Sequence, residues 1–362
     1  MIRPAIAMPA RAGRTMVCSG PIRAMSAVLL LAAAAVGGSA PALAQKVDFS
    51  GQKITLVIAT PPGGGYDLYG RLAGRFLGAY LPGNPSVIPQ NMPGAGSLIA
   101  ANWLANVAPR DGTAIGIVPM ATAFDNLLGN ASARFDARRF SWLVSLNDYT
   151  AVVAVWHAAP FLTAADLFTK ELLVGGSGAA SDVTVWPVLL NALIGTRTRT
   201  VRGYPGTAGI TLAMERGEVQ GVIGDDWASL KANKADWLRE QKLRILMQLT
   251  AAPHADLPAV PLAGAFATSE ANARVLALFV ERQQYGRPFL APPGTPAPIV
   301  AAYREAFAKL ANDPDFIRAA EAAGLIIKIT SGEEVAARVE RIYANPKPII
   351  DEASALLRSV PE

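Results

Sequence analysis

The chain has 362 residues, with 33 lysines and arginines against 28 aspartates and glutamates, for a formal charge of +5. At 51% hydrophobic and 17% charged it is globular rather than disordered, and it is long enough for more than one domain. Its one cysteine, Cys18, and two histidines, His157 and His254, leave little basis for disulfides, thiolate chemistry or a histidine-rich metal centre.

Residues 1–44 carry Arg3, Arg11, Arg14 and Arg23 and no acidic residue, then an apolar run over 27–36, then Ala42-Leu43-Ala44. A basic region, a short apolar region and an Ala-x-Ala end predict a secretory signal peptide cleaved after Ala44, and hence a periplasmic protein. The apolar run is too short to cross a bilayer. The basic region is long, so Met8, Met16 and Met25 are alternative starts. Cys18 lies in this leader. Without it the chain has 318 residues, and losing four arginines brings the charge to +1. That removes the electrostatic case for a nucleic-acid partner.

Strand-like and helical patterns then alternate. The run 54–59 empties into Pro61-Pro62-Gly63-Gly64-Gly65 and a helical pattern with Leu68, Leu72, Phe76 and Tyr80 on one face. Residues 86–88 lead into Pro93-Gly94-Ala95-Gly96 and a helix over 98–107. Residues 114–118 read as a strand, followed by a loop and helix start at 120–124. A longer β run covers 149–156. Residues 172–174, 198–201 and 219–223 are strands, each followed by a turn and a helix: to 193, to 216, and from Trp227. Residues 243–249 are a further strand. This rhythm predicts largely parallel sheets covered by helices. Thr295-Pro296 reads as an N-cap with proline at the first helical position, and Ser331-Gly332-Glu333-Glu334 as a capping box. No flexible linker separates domains, so crossing strands are expected to join them; 149–156 and 285–290 are the candidates.

The glycine loops invite three chemical readings. None has the Gly-Lys-Ser/Thr of a phosphate loop or completes GxGxxG, so no nucleotide or other cofactor is implied. Gly175-Gly176-Ser177-Gly178-Ala179 nearly matches a hydrolase elbow, and Ser177, Asp225 or Asp226, and His254 follow the hydrolase order. A secreted serine hydrolase is therefore one alternative, although Ala179 replaces the last glycine. The third reading is an anion cradle: strand–glycine–helix junctions expose backbone N–H groups at the positive ends of helices, and open α/β sheets bind ligands at such ends. Asp225-Asp226 read as helix caps rather than as metal ligands.

Taken together, Pro61-x-Gly63-Gly64-Gly65-x-Asp67, Asn91-x-Pro93-Gly94-Ala95-Gly96 and Ala108-Pro109-x-Asp111-Gly112 form an ordered series. It continues with the Gly/Ser loop at 175–181, Gly217-Glu218-Val219-x-Gly221-Val222 and Leu257-Pro258-x-Val260-Pro261. Ala291-Pro292-Pro293-Gly294-Thr295-Pro296 and Asp313-Pro314-Asp315 complete it. The chain resembles the Bug-type periplasmic solute-binding receptors of tripartite tricarboxylate transporters over about 54–357. The resemblance implies a type II periplasmic-binding fold: two α/β lobes joined by crossing strands, with a ligand cleft between them. The first lobe would comprise 45–150 plus 286–362 and the second 151–285, with the return somewhere in 250–290.

The resemblance also implies a receptor without catalysis, expected as a monomer, that passes a small organic acid or amino-acid-like ligand to membrane transporter subunits. A sensor reporting to a membrane kinase is an alternative use of the same cleft. Implied ligand-binding residues are Pro62, Gly63, Gly64, Gly65, Tyr66 and Asp67, then Pro93, Gly94, Ala95, Gly96 and Ser97, then Met120, Thr122 and Ala123, all from the first lobe. From the second come Ser177, Gly178, Ala179, Ser181 and Asp182, with Tyr204 and Asp225. The chain departs from the family at Met92, where arginine is frequent, and at Asp182, where a small or neutral residue with a following histidine is frequent. With Asp225-Asp226, the added negative charge disfavours a trianion such as citrate and favours an amino acid, a monocarboxylate or a neutral amide. Asp67 could meet a ligand ammonium or cap its own helix.

Overall fold

A computed structural model describes residues 47–358, so the predicted leader lies outside the described residues. The strands are β1 (Lys53–Ile58), β2 (Ser86–Asn91), β3 (Ala114–Ile117), β4 (Ser141–Ser145), β5 (Ala151–Trp156) and β6 (Leu172–Gly175). They continue as β7 (Thr198–Val201), β8 (Gly221–Asp226), β9 (Leu243–Gln248), β10 (Pro288–Ala291) and β11 (Thr330–Ser331). Two mixed sheets result, ordered β11-β4-β10-β3-β1-β2 and β7-β6-β8-β5-β9. In the first, β1 pairs in parallel with β2 and β3, while β10 runs antiparallel to β3 and β4. In the second, β6 pairs in parallel with β7 and β8, while β5 runs antiparallel to β8 and β9. β3 and β8 are buried along their whole length, as strands covered on both faces should be.

The helix Gly65–Phe76 packs by a wider face than the one expected. Leu72 is buried and Leu68, Phe76 and Tyr80 pack half-buried against the core, but Tyr66, Tyr69, Gly70 and Ala73 are buried as well. The small residues let the helix backbone settle onto the sheet: a Cβ at Gly70 would stand 2.9 Å from Ile58, and one at Gly74 2.8 Å from Pro89. The helix Ala297–Leu310 is also capped differently. Pro296 takes the N-cap position, while the Thr295 hydroxyl donates back to Pro292 O at 2.8 Å and closes the preceding turn. Ser331 does cap its helix, accepting the Glu334 N–H at 3.2 Å.

β5 and β10 each remain within one sheet. The passages between sheets are the short segments beside them, 146–150 and 282–287, which bond to each other: Leu146 N–H to Arg287 O at 3.1 Å and Tyr149 N–H to Gln283 O at 2.7 Å. The chain passes across once more near its end. The helix Gly332–Tyr343 packs on β4, and the following helix Lys347–Arg358 packs on Asp182–Ile194 and Glu270–Glu281. Among the described residues no helix is long and apolar enough to cross a membrane.

Candidate ligand cleft

A cavity of about 460 Å³ opens where the ends of the two sheets face each other. From the first sheet it is lined by 59–62, 64–66, 93–97 and Pro119. From the second come Ser177, Gly178, 181–183, 204–209, Asp225 and Ser229. Tyr149 and Arg287 reach it from the crossing segments. Of the residues singled out from sequence, Pro62, Gly64, Gly65, Tyr66, 93–97, Ser177, Gly178, Ser181, Asp182, Tyr204 and Asp225 line it. Gly63, Asp67, Met120, Thr122, Ala123 and Ala179 do not.

The six exceptions have local causes. Asp67 points back into its own loop, accepting the Gly63 N–H at 3.0 Å, Arg71 Nε at 2.9 Å and Asn91 Nδ2 at 2.8 Å. It therefore neither faces a ligand nor occupies the N-cap, which is Gly64. Burial alone would raise its carboxyl, but these three donors outweigh burial and hold it below the usual range. Gly63 is drawn into the same clamp. Met120 is buried, and its N–H donates to the Tyr66 hydroxyl at 3.3 Å. Thr122 and Ala123 are buried behind it, so this third loop supports Tyr66 and only Pro119 reaches the cavity. Ala179 belongs to the loop stretch that meets the opposite lobe.

That meeting is close. A Cβ on Gly178 would lie 2.5 Å from Gly96 N, and one on Gly96 would lie 2.8 Å from Ala180 Cβ. The 93–97 loop reaches this position through four successive positive φ values: Gly94 131°, Ala95 48°, Gly96 65° and Ser97 82°. Ala95 and Ser97 carry a Cβ in the left-handed region, at about 1 kcal/mol or more each. At the other side, Gly65 leaves no room for a side chain either: its Cβ would fall 2.0 Å from Ser229 Oγ.

Three helix starts aim at the cavity: Gly65–Phe76, Asp182–Ile194 and Thr207–Glu215. Their first N–H groups have no intrahelical acceptor and carry the positive end of the helix dipole. Beside the second start, Ser177 Oγ donates to Ser181 Oγ at 2.7 Å, and the Ser177 N–H donates to Thr184 Oγ1 at 3.1 Å. The hydrolase reading fails here. The Ser177 hydroxyl is engaged by Ser181, while His254 is absent from the cavity lining and its Nδ1 accepts the Asp256 N–H at 3.1 Å.

The floor is charged and buried. Arg287 donates to Asp226, to Ser229 Oγ at 2.8 Å and to Gly286 O at 3.3 Å. Its guanidinium lies over the rings of Tyr66 at 4.5 Å, Tyr149 at 4.7 Å and Tyr69 at 5.1 Å. Burial opposes its charge, yet Asp226 and these tyrosines hold its proton more firmly than usual. Arg282 pairs with Asp182 and sits over Phe124, Phe279 and Trp186. Burial raises the Asp182 carboxyl, and Arg282 and Arg287 oppose that rise. Burial raises Asp225 to about 7; Asp226 adds to this, while the Asp226 N–H and Arg287 work against it. The negative charge expected from sequence is thus largely compensated: two of the three aspartates have arginine partners. Those arginines were not foreseen, nor were Pro119, Tyr149, Ser229, 59–61, Val183 or 205–209. The turn Gly203-Tyr204-Pro205-Gly206 did carry a signal for the last of these, the same strand–turn–helix junction seen elsewhere. Among the described residues there is no group of three or more His, Cys, Asp and Glu side chains able to hold a metal.

Two α/β sheets facing each other across a cleft ringed by helix starts define a two-lobed binding protein. The family model of the tripartite tricarboxylate transporter receptors matches residues 81–354, and the chain belongs to that family, whose members are receptors rather than enzymes. No sequence among curated proteins matches it. Solved structures share the fold. An R. palustris protein with adipate is 21% identical, with a TM-score of 0.67 over 85% of this chain and 99% of that one. The periplasmic binding protein BugD is 17% identical, with a TM-score of 0.67 over 86% and 98%. MatC from Rhodopseudomonas palustris with bound malate is 19% identical, with a TM-score of 0.65 over 85% and 100%.

Proposed function

We propose that this protein is exported by its first 44 residues, captures a small carboxylate in the cleft and presents it, chemically unchanged, to the membrane subunits of a tripartite transporter. The observation that carries this reading is the convergence of three helix starts and the glycine loops on one cavity of about 460 Å³. Each helix start is worth about 0.3–1 kcal/mol to an anion, and up to ~2 kcal/mol when partly buried. Glycine, proline, alanine and tyrosine make up most of the walls, which suits a ligand with an apolar body and a carboxylate end. Adipate and malate in the related structures are small carboxylates. Closure would bring contacts from both lobes onto the ligand at once, and the closed form would be the one that docks.

Native mass spectrometry of the periplasmic protein tests the reading. The expected result is a co-purifying small acid, displaced by carboxylates added in excess, on a chain that begins at Gln45. A chain that retains Met1, or one that binds no carboxylate of a broad panel, would contradict it.

A further inference from the structure

Resting on the reading of the cleft as a carboxylate site, we propose that Asp225 determines specificity at its floor by pairing with a protonated amine on the ligand, so that the cleft prefers an amino-carboxylate to the matching amine-free acid. The first observation is an inventory of buried charge. Asp182, Asp225 and Asp226 are all nine-tenths or more buried, and Asp182 and Asp226 are matched by Arg282 and Arg287. Asp225 lines the cavity and forms no ion pair among the described residues; the cation that acts on it, Arg287, is itself paired with Asp226. Its only hydrogen bond is from the Asp226 N–H, at 2.9 Å to one oxygen. A buried carboxylate without a counter-charge is costly, and a ligand cation is the partner the protein itself does not supply.

The second observation is independent. Arg287 is 1% exposed, lines the same cavity, and its Nε has no partner. Arg287 is therefore sealed and committed to Asp226 and Ser229, and the charged acceptor left open to the cavity is Asp225. A ligand bearing an amine beside its carboxylate can satisfy it; a dicarboxylate sets a second negative charge against it.

The proton on Asp225 gives the pairing a pH signature. Acting on it are Asp226 from its own strand, Arg287 and Tyr149; Tyr66 and Asp182, the latter paired with Arg282, line the same cavity. Burial lifts its carboxyl to about 7, so on the acid side of neutrality a ligand ammonium bound there must displace a proton, and on the alkaline side it need not. Affinity for an amino-carboxylate should rise as pH goes from the acid to the alkaline side of neutrality. Affinity for an amine-free acid should fall over the same interval, as Asp225 gains charge.

Calorimetric titration of the native protein with matched pairs reads this directly: aspartate against succinate, glutamate against glutarate, 2-aminohexanoate against hexanoate. In at least one pair the amino member should bind about tenfold or more tighter. Asp225→Asn keeps the shape and the bond from Asp226; on the alkaline side of neutrality it should weaken that member about 30-fold or more and tighten the amine-free partner, which no longer meets a negative charge. If Asp225→Asn does not fold, the pH series on the native protein decides. An amino-carboxylate whose affinity falls toward alkaline pH overturns the proposal. Amine-free members binding as tightly in every pair overturn it too, and leave the carboxylate reading standing. No binding by any member of any pair removes that underlying reading and this proposal with it.

Discussion

At the mouth of the cleft the protein offers backbone; at its floor it offers side chains. The mouth is built from Gly64, Gly65, 93–97, Gly178 and 204–209, whose role depends on the absence of bulk and the direction of N–H groups. The floor is built from Tyr66, Tyr149, Asp182, Asp225, Asp226, Arg282 and Arg287, charges and rings drawn from five separate segments of the chain. A backbone mouth binds a carboxylate whatever is attached to it, whereas a buried charged floor distinguishes what is attached.

The largest effect should come from breaking the floor. Arg287→Ala strands Asp226 without its partner in the interior, and should destabilise the protein by about 3–5 kcal/mol in chemical denaturation. Arg287→Lys should recover only part, since an ammonium cannot meet Asp226, Ser229 and three ring faces together. Wild-type stability in either variant would mean that the floor is not a structural unit.

The mouth should respond the other way. Gly178 has ordinary backbone geometry, so Gly178→Ala meets an obstacle only across the cleft, at Gly96. It should leave the melting of the ligand-free protein little changed and weaken ligand binding by about 1–3 kcal/mol of overpacking in the closed form. Unaltered affinity would show that the two loops need not touch for binding.

How far each region could be read from sequence follows from the same division. The βα rhythm and the glycine and proline turns are local signals, and they located both sheets and most of the mouth. The floor depends on pairings such as Asp182 with Arg282, a hundred residues apart, which no local pattern records. Asp182 therefore looked like an uncompensated charge. The strand β4 carries no such signal because no glycine or proline turn leads from it into a helix, and β11 is only two residues long. The inward face of the helix Gly65–Phe76 is wider than its large apolar residues indicate, because Gly70 and Ala73 allow a close contact that side-chain hydrophobicity does not record.

The loop under the mouth offers a smaller test. Asp67→Asn removes a charge that organises Gly63, Arg71 and Asn91, and should cost about 1–3 kcal/mol at neutral pH. The Asp67 carboxyl lies below the ordinary range, so the folded protein keeps it ionised further into acid than the unfolded chain does. Its stabilisation is complete above the unfolded value of about 4 and is lost as pH falls through the lower folded value. The gap between native and variant should therefore close in acid; a gap that persists there would assign Asp67 a role other than its charge. Smallest of all, Ser331→Ala should cost about 1 kcal/mol by removing an N-cap remote from the cleft, with ligand affinity unchanged in titration.

The most direct measurement is a crystal structure of the protein with the carboxylate it binds. The account expects an intact ligand enclosed by both lobes, its carboxylate against the first N–H groups of the helices Gly65–Phe76, Asp182–Ile194 and Thr207–Glu215 and its remaining part over Asp225. A ligand found outside that cavity, or one chemically altered within it, would contradict the account.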